Sequence, residues 1–124
     1  MSEEKNIKKE SRIEVVVGLN EESVPAEIKW RADDNPEGRQ FLNAKGMLVS
    51  FFDEKSRDTL RIDLWTEDLQ VMEMDRMVYH TLKGLSETYL RSTGNKELAG
   101  QMRQFAEYFG ETTEIVPPSD PAKE

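Results

Sequence analysis

The chain reads as an α+β domain in which a four-stranded antiparallel meander sheet is followed by two helices packed on one of its faces, in the order β-β-β-β-α-α. Three observations predict this. Stretches before residue 66 alternate apolar and polar residues or run apolar over strand length. Two stretches after residue 70 space their apolar residues by three and four. The connections between the strand candidates are mostly short, which favours antiparallel neighbours.

The first strand is "SRIEVVVGL", with Ile13, Val15, Val17 and Leu19 on one face and Arg12, Glu14 and Val16 on the other. "NEESVP" is turn chemistry, and Pro25 suits a strand entry or an edge. "AEIKWRA" alternates again, Ile28, Trp30 and Ala32 against Glu27, Lys29 and Arg31. The longest connection is "DDNPEGRQFLNA". The third strand, "KGMLVSFFD", is apolar on both parities, and the polar link "DEKSR" has hairpin length. In the fourth strand, "TLRIDLW", Leu60, Ile62 and Leu64 claim the core, and Arg61, Asp63 and Trp65 face the other way.

The first helix is expected from Val71 to about Arg91, with the stripe Val71, Met74, Val78, Leu82, Leu85 and Tyr89. Met72, Tyr79 and Leu90 form a minor apolar flank, read as a satellite packing contact. Gly94 suits a left-handed helix end and Asn95 the next cap. The second helix, about Lys96 to Phe109, carries Leu98, Met102, Phe105 and Phe109, and Gly110 is expected to end it. Residues 1–10 and the proline-rich 112–124 read as disordered tails around a single domain at 11–111.

Of 124 residues, 36% are hydrophobic and 34% charged, and the formal charge is -8. That balance argues against a non-specific binder of nucleic acid or anionic membranes. No apolar run approaches the roughly 20 residues needed to span a bilayer. The charged start "MSEEKNIKKE" lacks an apolar h-region, so no secretory signal is expected if this is the native start. The chain has no cysteine, which excludes disulfides and thiolate sites and fits the cytoplasm.

No glycine-rich phosphate loop, metal-ligand cluster or nucleophile motif stands out, so neither catalysis nor a cofactor is expected. His80 falls opposite the apolar stripe and reads as a solvated surface histidine. "DDNPEG" lacks the ligand spacing of a calcium loop and reads as a solvated turn. The outer sheet face carries the better signal. Arg61, Asp63, Trp65, Phe52, Lys29 and Arg31 share it, joined by Leu48 and Ser50. Cross-strand charge ladders account for the ions, but not for two large aromatics, which are typical anchors of protein interfaces. Self-association or docking of another protein is the preferred reading of this face. A loop or tail folding over it is the structural alternative.

Three blocks in order, "VPAEIKW", "LRIDLWT" with the following methionine-bearing helix and His80, and "RSTGNKELAGQMRQFAEYFGE", resemble the gliding motility protein GldC family of Bacteroidetes bacteria. The resemblance covers roughly Ser11 to Glu111. Asp33-Asp34-Asn35-Pro36 stand where the family has a glycine pair, and Gln70 where a proline is common. The resemblance implies a small soluble accessory protein of the gliding and protein-export apparatus, with no enzymatic activity. Its partner would be a component of that machinery or a second copy of the chain. Any association with the inner membrane would be made through a partner. A SecB-like export chaperone and a small-ligand binder are the two alternatives.

Overall fold

The computed structural model describes residues 5–36 and 40–117. Its element order is β1 (Ile13–Leu19), β2 (Pro25–Ala32), β3 (Leu42–Ala44), β4 (Gly46–Phe52), β5 (Thr59–Trp65), α1 (Val71–Thr93) and α2 (Lys96–Thr112). The elements group into two compact units, one ending at Leu69 and the other beginning at Gln70. The fold is α+β with antiparallel strands, but the single four-stranded meander is not formed. There are five strands in two sheets, β1-β2-β3 and β4-β5.

The difference comes from the end of the long connection, which reads as loop but carries a strand of its own: β3 lies just ahead of the expected third strand, set off from β4 by a bend at Lys45. Before the bend, Leu42 pairs with Trp30 and Ala44 with Ile28. After it, Gly46 pairs with Trp65 and Met47 with Leu64. The Thr66 amide donates to the Lys45 carbonyl at 2.8 Å, so the bend itself is held by the end of β5. β3 lay hidden in the sequence because Leu42-Asn43-Ala44 is too short to show a period.

The parities within each sheet follow the sequence. In the first sheet Ile13, Val15 and Val17 oppose Ala32, Trp30 and Ile28. In the second, Met47, Val49 and Phe51 oppose Leu64, Ile62 and Leu60, giving an apolar ladder on one face of the hairpin. The other face pairs Leu48 with Asp63 and Ser50 with Arg61. Of the residues expected to form the core, Ile28 is fully buried at 1% exposure. Ile13, Val15, Leu60 and Ile62 stay exposed.

Two turns show why their residues are there. The Asn20 side-chain oxygen accepts from the amides of Glu22 and Val24, closing the β1–β2 connection around Ser23, whose φ is 63°. In the β4–β5 connection the Asp53 carboxylate accepts from the Ser56 amide at 2.8 Å, and Arg57 turns left-handed at φ 62°. That hydrogen bond holds the Asp53 carboxyl below the usual aspartate range.

In the helical unit, α1 starts with the Gln70 amide donating to the Glu73 carboxylate at 3.0 Å. It ends on left-handed Gly94, and Asn95 caps α2 by accepting from the Leu98 amide, both as expected. α2 runs past Gly110 to Thr112. It closes in a Schellman motif, with the Ile115 amide on the Gly110 carbonyl, the Glu114 amide on the Glu111 carbonyl, and Glu114 left-handed at φ 63°.

The seam between α1 and α2 differs from the expected stripes. The buried residues are Tyr79 and Ser86 on α1 and Ala99, Ala106 and Gly110 on α2. Tyr79, placed by its spacing on a minor flank, is the anchor of this contact. Val71, Leu85, Leu98 and Phe105, from the stripes read as core, are exposed. Small residues let two helix backbones approach, so the seam follows Ala99, Ala106 and Gly110 rather than the bulkiest side chains.

Candidate interaction face

The six residues singled out from sequence fall into two groups on the two sheets of the first unit. Lys29 and Arg31 lie on β2, and Phe52, Arg61, Asp63 and Trp65 lie on the β4–β5 hairpin. As expected, Arg61, Asp63 and Trp65 share a face with Leu48, Ser50 and Phe52.

On the first sheet Arg31 opposes Glu14 across β1, and their charged ends meet at 2.8 Å. The Phe41 ring completes the group, 4.5 Å from the Arg31 guanidinium and 5.2 Å from the Lys29 ammonium. Phe41 immediately precedes β3, whose Leu42 pairs with Trp30, the neighbour of Arg31. Sequence reasoning missed it, placing it in the long connection. "FLNA" offers no period that would have marked it. Here the loop does fold onto the sheet, so Lys29 and Arg31 are already engaged.

On the hairpin, the Arg61 guanidinium donates to both Asp63 oxygens, at 2.9 and 3.1 Å, and to the Ser50 hydroxyl at 2.7 Å. The ion pair is closed within one strand, two residues apart on one face. Trp65 and Phe52 are 52% and 70% exposed, without such engagement among the described residues. They stand at opposite ends of the hairpin, Trp65 across from Gly46 and Phe52 across from Thr59. At about 3.4 Å per residue the ladder separates them by roughly 20 Å, so they frame the Arg61–Asp63 pair rather than touch. The reverse face exposes Phe51, Leu60 and Ile62.

A cavity of about 370 Å³ lies in the same unit, where the sheets meet at Lys45, with Ile28, Asn43, Lys45, Thr66 and Asp68 in its wall. Its size is adequate for a small ligand, but Thr66, Asp68 and the Lys45 carbonyl in its wall are committed to the fold. The buried Thr66 hydroxyl bonds the Asp68 carboxylate and the Lys45 carbonyl, and this bond, with nearby Lys45, lowers the Asp68 carboxyl below the usual aspartate range. These bonds lock the bend that separates the sheets. His80 is exposed on α1, as its spacing implies, with its ring 5.6 Å from that of Tyr79. In the acidic loop, Asp33 accepts from the Arg12 amide and Asp34 meets Lys9, and residues 37–39 lie outside the described residues. No helix among the described residues is long and apolar enough to cross a membrane.

Neither the curated proteins nor the solved structures offer a match to this chain. A family model does, that of the gliding motility-associated protein GldC-like family, over residues 25–115. The matched span takes in β2 through α2, including the Lys45 bend, the hairpin and the helical seam. The chain therefore belongs to the gliding motility-associated GldC-like family.

Proposed function

We propose that this protein is a non-enzymatic accessory component of the gliding and protein-export apparatus, acting in the cytoplasm by docking a protein partner on the Arg61 face of the β4–β5 hairpin. Family membership supports the cellular setting. The observation that carries the molecular reading is the composition of that face: Trp65 and Phe52 exposed at its ends, with the Arg61–Asp63 pair closed between them. Exposed aromatics supply burial energy on docking, and an ion pair already closed loses less on desolvation than two separate ions would.

Affinity purification of the tagged protein from its native cells, wild type beside Trp65→Ala, tests this. Loss of one co-purifying partner by a variant with unchanged circular dichroism supports the assignment. Equal recovery of every partner removes it.

A second reading draws on the opposite face. Phe51, Leu60 and Ile62 are 60%, 57% and 47% exposed on one ladder, a surface suited to an extended apolar polypeptide. This is the export-chaperone alternative, and it requires the pure protein to delay aggregation of an unfolded client.

A further inference from the structure

We infer that two copies of this chain pair through the outer edge of β5, antiparallel and two-fold symmetric about Ile62, joining their hairpins into one sheet in the order β4-β5-β5-β4. The inference concerns the strand's edge and stands independently of what docks on its face. The Asp53 amide donates to the Asp58 carbonyl, and the Thr66 amide to the Lys45 carbonyl. Each pair lies one step beyond an end of the β4–β5 register, past Phe52–Thr59 and Gly46–Trp65. Hydrogen-bonded pairs alternate along an antiparallel ladder, so Leu60, Ile62 and Leu64 direct their backbone groups at β4. Thr59, Arg61, Asp63 and Trp65 direct theirs outward, and no strand among the described residues pairs with them.

Natural edges are usually blunted by proline, lysine or a bulge. β5 has no proline or lysine, and its register with β4 runs through all seven pairs without a shift. β1, by contrast, breaks register at Gly18/Leu19.

Charge then selects the partner and the register. Symmetry about Ile62 sets Arg61 against the second copy's Asp63 and the reverse, Leu60 against Leu64, and Ile62 against itself. The Arg61 and Asp63 backbones meet as hydrogen-bonded pairs at the middle of the edge. Shifting the centre to Arg61 opposes two arginines, and shifting it to Asp63 opposes two aspartates, each destabilising on directly facing positions. The other open edges lack this self-complementarity, since β1 holds one charge, Glu14, and β4 holds none. Arg61 is 52% and Asp63 36% exposed, and in the pair each exchanges its within-strand partner for the second copy's.

The test uses the full chain, by sedimentation equilibrium. Wild type should show twice its 14.3 kDa mass, while Arg61→Asp and Asp63→Arg each run as monomers at the same concentration. Mixed one to one, these two variants should recover the dimer, because acidic and basic edges again face each other, whereas repair of the within-strand pair alone would not need mixing. The chain has no cysteine, so Ile62→Cys gives a second readout. Facing residues at a non-hydrogen-bonded pair have Cα atoms about 4.5 Å apart, within disulfide range, so oxidation should give a covalent dimer. Leu60→Cys should not. A monomeric wild type overturns the inference, as does failure of the mixture to dimerise or equal cross-linking at positions 60 and 62.

Discussion

Gly110 stands where the ring of Tyr79 leaves no room for a side chain: a Cβ there would lie 2.6 Å from Tyr79 Cε1 and 3.0 Å from Val116 Cγ2. The ring is 5% exposed and anchored between the helices, so it cannot swing clear. Gly110→Ala should cost about 1–3 kcal/mol through overpacking, read as a lowered urea midpoint. Gly84→Ala, with nothing within 4 Å of its Cβ, is the control and should be neutral or stabilising.

The end of α2 and the hairpin turn hold non-glycine residues in left-handed backbone, Glu114 and Arg57. Glycine removes the Cβ strain there, at the expense of some chain entropy. Glu114→Gly and Arg57→Gly should each raise stability by roughly 0.5–1 kcal/mol, additively because they lie in different units. Thermal unfolding followed by circular dichroism checks both.

Phe41 offers a way to separate covering from docking. Phe41→Ala uncovers Lys29 and Arg31 and removes two exposed cation–π contacts worth about 0.5–1 kcal/mol each. The expected result is a modest loss of stability without loss of the partner bound at Trp65, measured by thermal unfolding and co-purification.

The Asp68 carboxyl is held low chiefly by the Thr66 hydroxyl. A carboxyl depressed on folding contributes stability fully present above its unfolded value, lost as pH falls through the folded one. Thr66→Val should therefore move the Asp68 pKa upward, as followed by carboxyl NMR titration. It should also flatten the acid-side decline in stability, while loosening the Lys45 bend.

Four of the five strands and both helices were legible because period is written locally, whereas β3 is too short to show one. Leu60, Ile62 and Leu64 announce a strand whatever surrounds them, and Gly94-Asn95 announce a helix break. The face of each hairpin residue was legible for the same reason. The division into two sheets was not, because it depends on a bend at Lys45 fixed by Thr66, some twenty residues away. The α1–α2 seam was hidden by a different effect. Hydrophobic periodicity ranks residues by bulk, whereas two close helices select Ala99, Ala106 and Gly110 for lack of it. Within the candidate face, proximity on one parity was readable, but the closing of Arg61 on Asp63 and the separation of Trp65 from Phe52 needed the register.

Whether the Trp65 face meets another protein in the cell is read by site-specific photocross-linking, with a benzoylphenylalanine placed at Trp65 in living cells of the source organism and, for comparison, at exposed His80 on α1. Docking on this face should give a discrete heavier adduct from position 65, whose added mass identifies one partner, and none from position 80. Equal adduct patterns at the two positions, or none at 65, would rule it out.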